Sequence, residues 1–113
     1  MSTSAESGLS GLDFHVLLAL VDAPLYGYAI RNAVESDSNG AHSPRAGTLY
    51  RVIARLMTWG LVEELDPPAD DDPHPGRTRR YYGLTPQGVD ALREESRRLK
   101  LAAALAESRL MVR

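Results

Sequence analysis

The sequence predicts a mainly α-helical α+β fold, a winged helix-turn-helix with a C-terminal dimerisation helix. Three observations predict it: an amphipathic helical pattern with a cationic outer face over residues 43–62, two short strand patterns directly after it, and heptad-like apolar spacing near the C-terminus. We expect a flexible arm over residues 1–10, a DNA-binding winged helix-turn-helix over 11–84 and a dimerisation helix over 85–113.

Composition limits the classes of function. The chain has 113 residues, of which 43% are hydrophobic, and no cysteine, which excludes disulfides and thiolate metal sites. The three histidines, at positions 15, 42 and 74, fall in different predicted elements without ligand spacing, and no glycine-rich phosphate loop is present. We therefore expect no catalytic residue, no metal, no cofactor and no enzymatic activity. The absence of a secretory signal pattern or a membrane-length apolar run predicts a cytoplasmic protein without a membrane partner.

Charge is unevenly distributed along the chain. The net charge is −2, whereas a basic excess is the usual signature of a nucleic-acid-binding protein. The arginines of interest, however, form two groups with an acidic segment between them. These groups are Arg45, Arg51 and Arg55, then Arg77, Arg79 and Arg80. The distribution favours a localised cationic surface.

Two helices are predicted before the basic helix. Residues 12–21 are mostly apolar and predict a core helix, with a buried strand as the alternative because short apolar runs do not separate the two by periodicity. Residues 25–36 resume helical spacing, and Gly27, which lowers helix stability, is expected to permit a close approach of a helix or ligand. Asn-Gly and Ser-Pro pairs in residues 37–44 predict the turn of a helix-turn-helix.

The basic helix is predicted to begin at Ser43-Pro44 and to end at Gly60 in a left-handed cap. One face is apolar and should be buried; it carries Leu49, Val52, Ile53 and Leu56, with Met57 beside them. The outward face carries Thr48, Tyr50, Arg51, Arg55 and Thr58. A helix of about four turns can lie in a DNA major groove while its other face packs on a small core.

A wing and a dimerisation helix follow. Residues 61–66 and 79–84 predict strands, and the proline- and aspartate-rich segment between them predicts a long exposed loop. Thr85-Pro86 then restarts a helix. Its apolar and small residues advance in steps of three and four, as a dimerisation seam does: Val89, Leu92, Ser96, Leu99, Ala103, Ala106 and Leu110. A second copy of the chain is the simplest cover for such a stripe, which predicts a homodimer.

Three segments resemble the motifs of the PadR-type winged-helix transcriptional regulators. They are LLALVDAPLYGYAIRNAV, GTLYRVIARLMTWGLVEE and GRTRRYYGLTPQGVDAL, in the family's order, and the resemblance covers roughly residues 12–95. The resemblance is to the short form of the family, with a single C-terminal dimerisation helix. It implies a homodimer that binds a pseudo-palindromic operator in double-stranded DNA, in which binding of a small-molecule effector or a change in the spread of the dimer alters the distance between the two basic helices. We expect a repressor, because a protein without an activating domain can still occlude a promoter. Tyr26 departs from the histidine more usual in the family, and the wing is longer and more acidic.

The predicted DNA-binding residues come from three segments: Tyr28, Ser43, Arg45, Thr48, Tyr50, Arg51, Arg55, Arg77, Arg79 and Arg80. Arg51 suits a bidentate pair with guanine, and its alternatives are a phosphate contact or a solvated surface position. Arg45 and Arg55 suit phosphate contacts, whereas Tyr50 and Tyr28 suit either phosphate contact or packing. Trp59 is expected to anchor packing, with a stacking platform for a small aromatic effector as the alternative.

The alternative function is a winged-helix protein–protein interaction module without DNA-binding activity, because the fold alone does not imply DNA binding. In that case the arginines would make surface salt bridges. The two functions differ in charge placement, since a DNA-binding protein needs its recognition helix and its wing strand to form one basic surface.

Overall fold

The computed structural model describes residues 8–69 and 79–112. Four helices and three strands follow one another along the chain: α1 (Gly11–Ala19), β1 (Leu25–Tyr26), α2 (Gly27–Asp37), α3 (Ala46–Thr58), β2 (Val62–Leu65), β3 (Tyr81–Leu84) and α4 (Pro86–Met111). The mainly helical α+β fold predicted from the sequence is confirmed. Most of the expected N-terminal arm and most of the predicted wing loop, including Arg77, lie outside the described residues.

The first helix, α1, begins with a reciprocal cap. The Ser10 hydroxyl accepts a hydrogen bond from the Asp13 amide at 3.1 Å, and the Asp13 carboxylate accepts one from the Ser10 amide at 2.9 Å. This capping box stabilises two amides that a helix end otherwise leaves unpaired. Residues 11–19 are therefore helical, and the buried-strand alternative is wrong.

The sheet has three antiparallel strands in the order β1-β3-β2. Leu25 and Tyr26, predicted to begin a helix, instead pair with Tyr82 and Tyr81 of β3. The helix α2 consequently begins at Gly27. On the other side of β3, the register of β2 places Val62 opposite Leu84 and Glu64 opposite Tyr82.

The basic helix α3 begins at Ala46, so the prediction that it begins at Ser43-Pro44 is wrong. Asn39 and Gly40 have φ of 57° and 82°, and the turn that they form is followed by residues 42–45 without regular secondary structure, the last of which, Arg45, is extended and is the N-cap residue. The predicted apolar face is buried, as Leu49, Val52, Ile53 and Leu56 show. Met57 differs, because its side chain remains 37% exposed.

The C-terminal end of α3 is a Schellman motif. Gly60 has φ of 76°, its amide donates to the Met57 carbonyl at 3.0 Å, and the Leu61 amide donates to the Leu56 carbonyl at 2.9 Å. The left-handed cap predicted at Gly60 is therefore confirmed.

The hydrophobic core lies between α1, α2, α3 and the sheet, with the start of α4 closing one side. Leu17, Ile30, Val34, Ile53 and Leu56 are among its most buried side chains. From α4, Leu92 enters this core. Among the described residues, no helix combines the length and apolar character needed to cross a bilayer.

Candidate nucleic-acid interface

The outward face of α3 presents polar and cationic side chains near its N-terminus. Tyr50 is 49% exposed, Arg51 is exposed, and the Arg51 guanidinium donates to the Thr48 hydroxyl at 3.3 Å. Arg45 is exposed at the N-cap position and makes no side-chain cap hydrogen bond. The first-turn amides and the helix dipole therefore add positive potential to that of these arginines.

An open groove of about 680 Å³ lies beside this face. Residues from the sheet, from the segment just before β3, from α2 and from α3 line it: Tyr26, Gly27, Tyr28, Tyr50, Arg79, Arg80 and Tyr82. Four predicted DNA-binding residues from separate segments thus share one surface, namely Tyr28, Tyr50, Arg79 and Arg80. The basic helix and the base of the wing meet at this groove.

Gly27 permits the close contact between α2 and α3. A Cβ atom at this position would overlap the Tyr50 hydroxyl oxygen and lie 2.9 Å from the Tyr50 Cζ atom. The predicted close approach at Gly27 is confirmed, and the group that approaches is the Tyr50 side chain. Tyr50 is consequently held across the start of α2, at the edge of the groove.

The two arginines that precede β3 contact tyrosines of the sheet. The Arg79 guanidinium carbon lies 4.5 Å from the centroid of the Tyr26 ring, a cation–π geometry. Arg80 hydrogen-bonds to the Tyr82 side chain. Burial raises the pKa of the Tyr82 hydroxyl, Glu64 and Tyr50 raise it further, and Arg80 opposes the rise. Tyr82 is therefore neutral at pH 7, and the charge that these side chains bring to the groove is that of the arginines.

Two predicted DNA-binding residues occupy different environments from those expected. Ser43 precedes α3 rather than lying in its first turn, and its hydroxyl donates to the Glu35 carboxylate at 3.2 Å. The Arg55 guanidinium forms an ion pair with the Asp13 carboxylate of α1 and lies 5.4 Å from the centroid of the Trp59 ring. Trp59 packs against the core, as its predicted anchoring role requires.

Asp13 was not among the residues selected from the sequence. A short sequence pattern indicates its capping role, because an acidic residue three positions after Ser10 at the start of an apolar segment is typical of a capping box. The pattern predicts the cap but not the pairing with Arg55, because the two residues are 42 positions apart.

The predicted dimerisation seam divides into two parts. Leu92 is 8% exposed and belongs to the core of its own chain. The other seam residues are exposed: Val89, Ser96, Leu99, Ala103, Ala106 and Leu110. From Ser96 to Val112 every residue is exposed, so this part of α4 has no cover within the described chain.

Comparison with known proteins identifies the family. The model of the transcriptional regulator PadR-like family matches residues 16–94. The chain belongs to this family. PadR-like proteins are transcription regulators and not enzymes, which confirms both the resemblance and the expectation that the chain has no enzymatic activity.

Solved structures of other PadR-like regulators share the fold. One from Eggerthella lenta DSM 2243 is 28% identical, with a TM-score of 0.68 over 93% of this chain and 84% of that one. One from Bacillus cereus strain ATCC 14579 is 18% identical, with a TM-score of 0.72 over 96% of this chain and 97% of that one.

A curated relative is similar in sequence. An uncharacterised 37.1 kDa protein in transposon TN4556 of Streptomyces fradiae is 38% identical over 94 residues, which cover 82% of this chain and 24% of that protein. The chain therefore spans about a quarter of the length of this relative.

Proposed function

We propose that this PadR-like protein binds double-stranded DNA sequence-specifically as a homodimer and represses transcription by occupying a pseudo-palindromic operator. The observation that carries the proposal is the groove that joins Tyr28 and Tyr50 to Arg79 and Arg80, directly beside the cationic N-terminal half of α3. A recognition helix next to basic wing residues is the charge placement that DNA binding requires.

The proposed docking places the first turns of α3 in the major groove. Arg51, one turn into the helix, reaches a base edge, where a bidentate pair with guanine is the most common specific contact. Thr48 hydrogen-bonds to Arg51 and restricts its side chain. Arg45 and the uncapped amides of the helix start contact a phosphate.

The groove residues contact the DNA backbone on the wing side. Tyr28 is 65% exposed at the start of α2, and Tyr50 is held against Gly27 beside it. Their hydroxyls donate hydrogen bonds to phosphate, and Arg79 and Arg80 add positive charge. Arg77, which lies outside the described residues, is proposed to extend this contact along the wing. Such contacts fix the register of the protein on the duplex, while the base contacts of α3 supply specificity.

The division into domains follows from the same proposal. Residues 11–84 form the DNA-binding unit and residues 85–113 form the dimerisation helix, and the N-terminal arm expected over residues 1–10 stays a prediction. A second copy covers the exposed stripe of α4, and the pair of recognition helices then contacts half-sites whose centres lie about one helical turn apart. A regulator acting on the chromosome agrees with the cytoplasmic location expected from the sequence.

We propose repression and not activation, because a dimer bound at a promoter occludes it without needing an activating surface. The response to a small aromatic effector stays a prediction, and Trp59 provides its readout. Quenching of Trp59 fluorescence by a planar aromatic ligand would support an effector site near the end of α3, and unchanged emission across such ligands would count against it.

Selection of bound fragments from a random DNA pool at moderate salt, followed by sequencing, tests the proposal. We expect enrichment of a two-fold symmetric motif. An absence of enrichment, together with binding that stays weak as salt is lowered, would contradict DNA binding and favour the protein–protein interaction module.

Replacement of Arg51 tests the base-reading role. We expect Arg51→Ala to lose about 1–3 kcal/mol of discrimination between the selected operator and a duplex changed at one base pair. Competition binding measures this loss, and sedimentation checks that the dimer persists. Arg97→Ala is the control, because Arg97 lies on α4 and pairs with Glu94 at 2.7 Å. Unchanged discrimination in Arg51→Ala would remove Arg51 from the reading role.

A further inference from the structure

Asp13 is a buried carboxylate that faces the recognition helix. It is 1% exposed and is the only buried charged residue in the part of the chain that the structure describes. One carboxylate oxygen accepts a hydrogen bond from the Ser10 amide at 2.9 Å, which completes the cap of α1. The other oxygen accepts a hydrogen bond from the Arg55 guanidinium of α3. A buried carboxylate is costly unless it is both paired and hydrogen-bonded. The hydrogen bond from Ser10 is local to α1, whereas the pairing with Arg55 is made only while α3 keeps its present position.

Arg55 is surrounded on two sides within its own chain. Its guanidinium pairs with Asp13 and lies 5.4 Å from the Trp59 ring centroid, and the side chain is 43% exposed. The donors of a guanidinium have a fixed planar arrangement, so an arginine held in this way constrains the rotation of its helix about the helix axis. Arg51 lies one turn earlier on the same face of α3 and hydrogen-bonds to Thr48 of its own helix.

We infer that the Asp13–Arg55 ion pair sets the rotation of α3 against α1, and that Arg55 is a positioning residue for operator recognition rather than a DNA contact. The inference rests on the proposed function and divides the arginines of α3 between two tasks. Arg45 and Arg51 face DNA, whereas Arg55 fixes the angle at which they are presented.

Asp13→Asn separates the two roles by the sign of its effect on DNA affinity. Asparagine still accepts from the Ser10 amide, so the cap of α1 is retained while the ion pair is lost. If Arg55 positions α3, affinity for the selected operator falls several-fold, although the variant has one negative charge fewer. If Arg55 contacts phosphate and Asp13 merely competes for it, affinity rises, and that result would overturn the inference.

Asp22→Asn is the matched control, since it removes the same charge from the exposed segment after α1. We expect it to leave operator affinity unchanged or slightly raised. A fall in Asp22→Asn equal to that in Asp13→Asn would show that the loss of charge, and not the ion pair, changes binding, and this too would overturn the inference.

Thermal unfolding tests the ion pair without DNA. Arg55→Met leaves the Asp13 carboxylate buried without a cationic partner, so Tm should fall strongly. The double variant Asp13→Asn/Arg55→Met removes the unpaired charge, and we expect it to recover part of the lost Tm. Arg31→Met is the control, because the Arg31–Glu35 pair, at 3.5 Å, is on the surface and contributes little.

The DNA-binding and thermal-unfolding experiments distinguish failure of the proposed function from failure of the inference about the ion pair. If the wild-type protein binds no DNA while the double variant recovers Tm, the proposed function fails and the ion pair still holds α3 against α1. If Arg55→Met unfolds at the wild-type Tm, or if the second substitution recovers nothing, the ion pair does not hold α3 and the inference is overturned even when the operator is bound tightly.

Discussion

At the residue scale, His15 is a half-buried titratable side chain between the helices. Its ring centroid lies 5.2 Å from that of His42, which is in the turn between α2 and α3, and its Nδ1 atom is buried without a hydrogen-bond partner among the described residues. Burial lowers the pKa of His15, the nearby His42 lowers it further, and Asp37 opposes this. The folded protein therefore favours neutral His15.

This shift makes stability depend on pH. The unfolded chain binds a proton at His15 near the ordinary histidine pKa of about 6.5, whereas the folded chain binds it only at lower pH. The free energy of unfolding should therefore decrease as pH falls below about 6.5 and level off below the folded pKa. Urea denaturation between pH 5 and 8 measures this slope.

His15→Gln should flatten the slope over that range, whereas His42→Gln should reduce it less, because burial is the larger cause of the shift. If His15→Gln keeps the slope of the wild-type protein, another group is responsible for the pH dependence.

At the element scale, the junction of α3, β2 and α4 is held by hydrogen bonds from Thr85 to neighbouring backbone groups. The Thr85 hydroxyl accepts from the Gly88 amide at 3.0 Å and donates to the Gly60 carbonyl at 2.6 Å, so the residue that caps α4 also bonds to the end of α3. The Leu61 carbonyl accepts from the Thr85 amide at 3.1 Å. Gly88 allows this approach, because a Cβ there would overlap the Leu61 carbonyl oxygen and lie 3.0 Å from its carbonyl carbon.

Gly88→Ala should therefore destabilise the fold. The obstructing atoms belong to the backbone and cannot rotate away, so we expect a loss of about 1–3 kcal/mol in the free energy of unfolding, measured in urea. Gly47→Ala is the matched control in α3, where the added methyl group meets no atom within 4 Å. There the better helix propensity should raise stability by about 0.5–1 kcal/mol. Equal stability of the two variants would show that the Leu61 carbonyl does not obstruct a side chain at position 88.

At the scale of the whole molecule, α4 extends well beyond the core. It has 26 residues and is about 39 Å long at 1.5 Å per residue. Leu92 is the last of its residues to be buried, and the leucines that follow, Leu99, Leu101, Leu105 and Leu110, are 46–67% exposed. An exposed apolar stripe of this kind is typical of an interaction surface.

Leu99→Glu should separate the proposed dimer into folded monomers, because it places a charge in the exposed stripe without touching the core. Sedimentation at several concentrations measures the change, and an unaltered far-ultraviolet circular dichroism spectrum shows that the chain stays folded. Lys100→Glu, at the neighbouring exposed position, is the control for added negative charge and should remain dimeric. Persistence of the dimer in Leu99→Glu would place the interface elsewhere.

The molecule shows which features of a fold can be predicted from sequence. The buried face of α3, the cap at Gly60 and the start of α4 at Thr85-Pro86 are encoded within a few neighbouring residues, and each is confirmed. The strand Leu25–Tyr26 was not predicted, because its backbone amides are paired with β3, more than 50 positions away. The predicted start of α3 was also wrong. Proline at position 44 is compatible with a first helical turn, and only the path of the preceding turn places Pro44 outside the helix.

The same distinction holds for the candidate site. The family, the amphipathic basic helix, and the arginines and tyrosines proposed to contact DNA could be predicted from the sequence, because they depend on motifs, local periodicity and residue type. Two features are visible only in the folded chain: Tyr28, Tyr50, Arg79 and Arg80 line one groove, and Arg55 pairs with Asp13. Both outcomes depend on how helices and strands distant in the chain pack together, and no local pattern specifies which side chains such packing brings into contact.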